Sequence, residues 1–188
     1  MLVEIALLQR FSVFLGHPTY SLSIVLFTII LSTGLGSLVS DHLPLDSRPK
    51  LAVWAGLTAV YIMLLPVFLP DVLLAFDDAQ LLTRAAITVA ALMPAGVLMG
   101  FGFPTGMRLI SAVDHRPTPW FWGINGAAGV TASVMAVACS ISFGISVTLI
   151  VGGLCYFLLI PAAYLIGVAT ARRAEVERSI AGAEVKRA

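Results

Sequence analysis

The chain has 188 residues, of which 59% are hydrophobic and only 11% charged, with a mean hydropathy of +0.99. Water-soluble domains are about a quarter charged, and a soluble fold of this length leaves roughly a third of its surface in water. A soluble fold is therefore excluded for most of the chain, and a formal net charge of +1 excludes nucleic-acid binding through bulk charge.

In lipid every backbone N–H and C=O needs an internal partner, which leaves helices and closed barrels. Barrel strands alternate apolar and polar residues. The runs here are continuous, as in Ile24–Leu31 and Ala85–Val97, so the expectation is an all-α, polytopic membrane helix bundle of about six transmembrane helices. The first run, residues 1–15, is interrupted by Glu4, Gln9 and Arg10. It is shorter than the roughly 20 residues a span requires, so it is a half-helix or continues from an upstream part. Its beginning lacks the basic region and the small-residue cleavage site of a signal peptide.

The second span covers residues 19–39, with Pro18 at a helix start, where its missing N–H is harmless. A polar loop follows over Asp41–Lys50. The third span, 51–69, is closed by Pro70, and Asp71–Arg84 reads as a short interfacial helix. The fourth, 85–103, contains Pro94. Pro104–Pro119 reads as a loop with an amphipathic turn around Met107–Val113. The fifth, 120–143, opens with Trp120 and Trp122, whose indoles suit a membrane interface. Gly144 turns the chain into the sixth, 145–168, and residues 169–188 read as a charged tail helix.

Charge gives an orientation. With six spans, one side holds Arg48, Lys50, Arg108, Arg116, Arg172, Arg173, Arg178, Lys186 and Arg187, and the other only Arg10 and Arg84. By the positive-inside rule the richer side is cytoplasmic, and with it both chain ends. Cys139 and Cys155 lie at depths about 9 Å apart around Gly144, by the 1.5 Å helical rise. That is beyond disulfide reach, so both are expected to be free thiols.

Small residues recur at packing distance: Gly96 and Gly100, Gly102 and Gly106, then Gly123, Gly126 and Gly129. In lipid, such positions let helices approach closely; an unwound segment along a substrate path is the alternative. The packing reading is preferred. Gly34-Leu35-Gly36 and Gly100-Phe101-Gly102 lack the strand, helix and acidic residue of a dinucleotide fingerprint. His17, His42 and His115 lie in separate loops without metal-ligand spacing. No catalytic, cofactor-binding or metal site is legible. Glu4, Arg108 and Asn125 form a possible intramembrane polar cluster near the cytoplasmic leaflet, since an ionised group in a span pairs or serves a function. A Glu4–Arg108 pair with Asn125 nearby is one reading. The preferred one is that Glu4 locks helix packing or reaches the interface.

Val3-Glu4-Ile5-Ala6-Leu7-Leu8-Gln9-Arg10, Phe14-Leu15-Gly16-His17-Pro18-Thr19-Tyr20 and Gly34-Leu35-Gly36-Ser37 resemble the membrane part of large bacterial spermidine synthase-like proteins. So do Gly102-Phe103-Pro104-Thr105-Gly106-Met107-Arg108-Leu109 and Pro119-Trp120-Phe121-Trp122-Gly123-Ile124-Asn125-Gly126. In that family, membrane helices flank a soluble domain resembling polyamine aminopropyltransferases. This sequence matches the segment after that domain and holds no nucleotide loop, so no enzymatic residue is carried over. The resemblance implies a bacterial inner-membrane domain or split subunit that anchors or assembles with a cytoplasmic synthase-like partner, in association with polyamine chemistry. The alternatives are a small-molecule transporter core and a non-catalytic structural subunit of a larger membrane complex. Beyond the lipid bilayer, other protein subunits are the expected partners, and nucleic acid is not.

Overall fold

The computed structural model describes residues 1–43, 45, 47–111 and 118–162. The expected tail helix, 169–188, and the end of the sixth span lie outside them. The described residues form α1 (Leu2–Leu15), α2 (Pro18–His42), α3 (Arg48–Ala75), α4 (Leu81–Gly100), α5 (Gly102–Ser111), α6 (Thr118–Phe143) and α7 (Ile145–Ala162), with no strand among them. Five stretches are long and apolar enough to cross a membrane: α2, α3, the continuous path Leu81–Leu109 through α4 and most of α5, α6 and α7. The chain is thus a multi-pass helix bundle suited to lipid contact. At 14 residues α1 does not reach spanning length.

The turns follow from local chemistry. Gly16 ends α1 at φ 72°, a left-handed conformation open to a residue without Cβ, and its N–H donates to Val13 O. His17 caps α2 by accepting from Thr19 N–H through Nδ1 at 3.2 Å, and Pro18 supplies the first helical φ. Gly144, at φ 92°, reverses the chain between α6 and α7. Within the spans, hydroxyls donate to carbonyls one turn back (Thr28 to Ile24, Ser32 to Thr28, Thr58 to Trp54, Thr88 to Arg84), so these hydroxyl protons are not left bare in an apolar medium.

Several boundaries differ from the sequence reading: α4 starts at Leu81 rather than at residue 85, and residues 104–111, expected within a loop, belong to α5. α3 passes through Pro66 and Pro70 and ends only at Ala75, so the connection to α4 shrinks to residues 76–80 and the interfacial helix over Asp71–Arg84 does not form. Each proline removes one backbone bond, but in a bundle neighbouring helices hold the axis and the break is tolerated. α2 likewise continues past residue 39 to His42.

The core is built around the short helix α1. Val3, Ala6, Leu7, Phe11, Phe14 and Leu15 of α1 are buried, and they pack with Val25 and Ile29 of α2, Ile62, Leu65 and Leu69 of α3, Leu92 of α4 and Leu149 of α7. The closest crossing is α2 against α4. A Cβ on Gly36 would overlap the Val97 carbonyl, one on Gly96 would overlap the Ser32 side chain, and one on Gly100 would overlap the Thr33 carbonyl. At the far side α6 is almost unburied: of its described residues only Ala136 is fully covered. Large apolar side chains elsewhere point outward, as Phe27, Ile30, Val53, Val67 and Leu158 do. Lipid as solvent allows this, because acyl chains are as apolar as leucine.

Candidate functional site

A cavity of about 880 Å³ opens at the end of the bundle where α1 begins. Five elements supply most of it, with Thr33 of α2, Met99 of α4 and Leu45 each adding to the lining. The first turn of α1 contributes Val3 and Glu4. The start of α3 contributes Ser47, Arg48, Leu51 and Trp54, and α5 contributes Gly102, Phe103, Thr105 and Gly106. α6 adds Asn125 and Ala132, and α7 adds Gly152, Cys155, Tyr156 and Leu159.

The walls are mainly hydrocarbon and aromatic, with a few polar groups. Glu4 Oε2 stands 3.4 Å from the Met1 ammonium, and the Glu4 side chain is 24% exposed. Trp54 is held edge-on to Tyr156, with ring centroids 6.0 Å apart at 78°. Its indole N–H donates to Leu98 O at 2.8 Å. That carbonyl sits at the break between α4 and α5, where Phe101 N–H also reaches it at 3.4 Å. The indole thus pins a helix end whose carbonyls lose their next-turn donors. Phe103 meets Trp122 edge-on at 4.7 Å, tying α5 to α6.

The three residues of the expected polar cluster are divided. Glu4 and Asn125 both line the cavity. Arg108 lies on α5 behind its wall: Nη1 donates to Asp41 Oδ1 at 2.7 Å and Ser40 Oγ at 3.3 Å, and Nη2 to Thr105 Oγ1 at 3.3 Å. Its ion pair is therefore with Asp41 at the end of α2, and Thr105 connects that pair to the cavity lining.

The glycines are divided too. Gly96 and Gly100 lie in the tight α2–α4 crossing. Gly102 has Trp54 at 3.5 Å from where its Cβ would stand, and Gly129 has Met1 at 3.4 Å. Gly106, Gly123 and Gly126 have nothing within 4 Å. Three glycines not singled out for packing from the sequence are in contact: Gly36, Gly152 against Val3, and Gly153 against Met63. Trp54 and Tyr156 were also missed. The available signal was their type, since a buried indole or phenol inside a span needs a polar partner.

Chemically, the cavity offers a carboxylate, an amide, a guanidinium, hydroxyls and a broad apolar wall. Such a set holds an amphipathic small molecule by its polar end and packs its apolar part. Among the described residues no three His, Cys, Asp or Glu side chains group as metal ligands, and Cys139 and Cys155 are free thiols. No protein-family model, curated protein or solved structure matches the chain.

Proposed function

We propose that the chain is the membrane domain, or a split membrane subunit, of a spermidine synthase-like assembly in a bacterial inner membrane, and that it holds a synthase-like partner at the cytoplasmic face. One observation carries this reading. The stretches that bear the resemblance lie far apart in sequence, yet three of the five meet at one cavity: Val3 and Glu4 from the stretch at residues 3–10, Gly102, Phe103, Thr105 and Gly106 from that at 102–109, and Asn125 from that at 119–126 line it. Segments that share a site are constrained together, which is what a common function at this end of the bundle requires. In this reading α1 and the five apolar stretches make six passes, both chain ends are cytoplasmic, and the cavity lies toward the cytoplasmic leaflet.

The test is purification of the tagged chain from native membranes in mild detergent, with the recovered proteins identified by mass spectrometry. Stoichiometric recovery of a Rossmann-type, aminopropyltransferase-like protein is expected; recovery as a stable monomer alone overturns the proposal. Protease protection in inverted vesicles checks the orientation. Residues 169–188 are expected to be cut and residues 76–80 shielded, and the opposite pattern reverses the topology.

A second reading, a small-molecule transporter core, is favoured by the cavity itself and by the helix break at Phe101 beside it. It requires water to reach Cys155 through the cavity. Failure of a small water-soluble maleimide to label Cys155 in sealed membranes removes it. The nearly bare α6, with Gly123 and Gly126 open, suits the third reading, a structural subunit covered there by another chain.

A further inference from the structure

At the opposite end of α1, two arginines stand without a counter-charge among the described residues. Arg10 Nη2 donates to Ser146 Oγ at 2.8 Å, and Arg84 Nη1 donates to Phe14 O at 3.1 Å. Among the described residues these are their only side-chain hydrogen bonds, and neither guanidinium has a carboxylate within ion-pair distance; Glu4 and Asp41 are paired elsewhere, with the Met1 ammonium and with Arg108. Nε of Arg10, Nε of Arg84 and Oε1 of Gln9 are all buried without a hydrogen-bond partner. The two cations share one locality. Arg84 lies 5.8 Å over the Phe14 ring, and Arg10 precedes Phe14 by one turn on the same face of α1.

An arginine in a membrane-spanning bundle is costly unless it is paired. The Phe14 carbonyl and ring offset part of the charge of Arg84. Arg10 has only a neutral hydroxyl. Large apolar side chains are exposed at this end of the bundle, Val13 at 82%, Leu82 at 81% and Leu74 at 78%, together with Asp77 and Asp78 of the connection 76–80. A planar guanidinium matches two oxygens of a phosphate. The apolar side chains nearby match what a phosphate in a bilayer carries, an acyl chain.

We infer that Arg10 and Arg84 bind the phosphate of an anionic phospholipid, whose chain lies along the exposed apolar surface at this end of the bundle. Bound there, the lipid supplies the counter-charge that the described residues do not. The site is distinct from the cavity and does not depend on the function proposed above.

The experiment is native mass spectrometry of the full-length chain in a mild detergent. It is titrated separately with phosphatidylglycerol, with phosphatidylcholine and with inorganic phosphate, and circular dichroism confirms that each variant is helical. The wild type is expected to bind one phosphatidylglycerol at least ten-fold more tightly than phosphatidylcholine. The double variant Arg10→Gln/Arg84→Gln is expected to lose that preference. Arg10→Lys/Arg84→Lys, which keeps the charges, should retain part of it and provides a reading if the glutamine pair fails to fold. Equal binding of the two lipids to the wild type overturns the inference, as does undiminished preference in a folded glutamine variant. Displacement of phosphatidylglycerol by inorganic phosphate at millimolar concentration would show a free-anion site and overturn the lipid assignment.

Discussion

Gly34 and Gly36 stand two residues apart on α2, and alanine is expected to act with opposite sign at the two positions. Both substitutions gain helix propensity, about 0.5–1 kcal/mol for replacing glycine in a helix interior. At Gly34 nothing lies within 4 Å of the new methyl, so the gain stands alone. At Gly36 the methyl would overlap the Val97 carbonyl and stand 3.0 Å from Val97 Cα. Those are backbone atoms of α4 and cannot rotate aside, so α2 and α4 must separate. Overpacking of this kind costs about 1–3 kcal/mol, and a gap of 0.5–1 Å forfeits a quarter to a half of each dispersion contact along the seam. In lipid that loss is not offset by a hydrophobic term, because dispersion is the main attraction between helices there. Gly36→Ala is therefore expected to be destabilising by about 1–2 kcal/mol, and Gly34→Ala neutral or stabilising. The assay is unfolding in mixed micelles by titration with a denaturing detergent, followed by circular dichroism, on both variants in parallel. Equal stability of the two variants would refute the claim that α2 and α4 meet at the Gly36–Gly96–Gly100 seam.

Phe11→Ala empties a fully buried site on α1; with about 100 Å³ vacated at ~24 cal/mol per Å³, the same assay should read a loss of about 2 kcal/mol. Trp54→Phe removes the indole bond to Leu98 O, but that carbonyl keeps its contact with Phe101 N–H. A loss of about 0.5–1 kcal/mol is expected, and no loss would mean the bond does not hold the α4–α5 break. Asp41→Asn discharges the partner of Arg108, yet both side chains are more than a third exposed. The change should stay under about 1 kcal/mol and shrink in high salt, and a larger, salt-insensitive loss would place the pair in a dry environment.

The spans were legible because the bilayer imposes length and continuous apolarity on the sequence itself. Their ends were less so. Pro70 taken locally reads as a stop, because in water a freed carbonyl and a kink favour a turn. In α3 it lies one turn after Pro66, inside a helix whose face from Leu51 to Leu69 is anchored against its neighbours. Packing outweighs the local preference. Gly96 and Gly100 were legible as a packing pair because a spacing of four puts both on one face. Their partner was not. Gly34 and Gly36 are equally small, and which of them faces α4 depends on how α2 is rotated in the bundle, which no local pattern encodes.

The polar cluster shows the same limit at the level of charge. Glu4, Arg108 and Asn125 were grouped because all three fall toward one end of their helices, and depth is what spacing along a helix gives. Partner choice requires the angle around each axis and the true end of each helix. With the second span ending at residue 39, Asp41 belonged to a polar loop and had no place in the argument. The last turn of α2 extends to His42 and carries Asp41 with it. There it meets Arg108 on α5, while Ser40 and Thr105, the latter one turn before Arg108, accept further hydrogen bonds from it. Arg108 is thereby occupied, and Glu4 remains on the cavity wall with Asn125. There the carboxylate faces the Met1 ammonium at 3.4 Å beside a mainly apolar wall. The extra turn of α2 therefore decides more than a boundary: by taking Arg108 out of the cavity, it leaves Glu4 free of that arginine to face whatever the cavity holds.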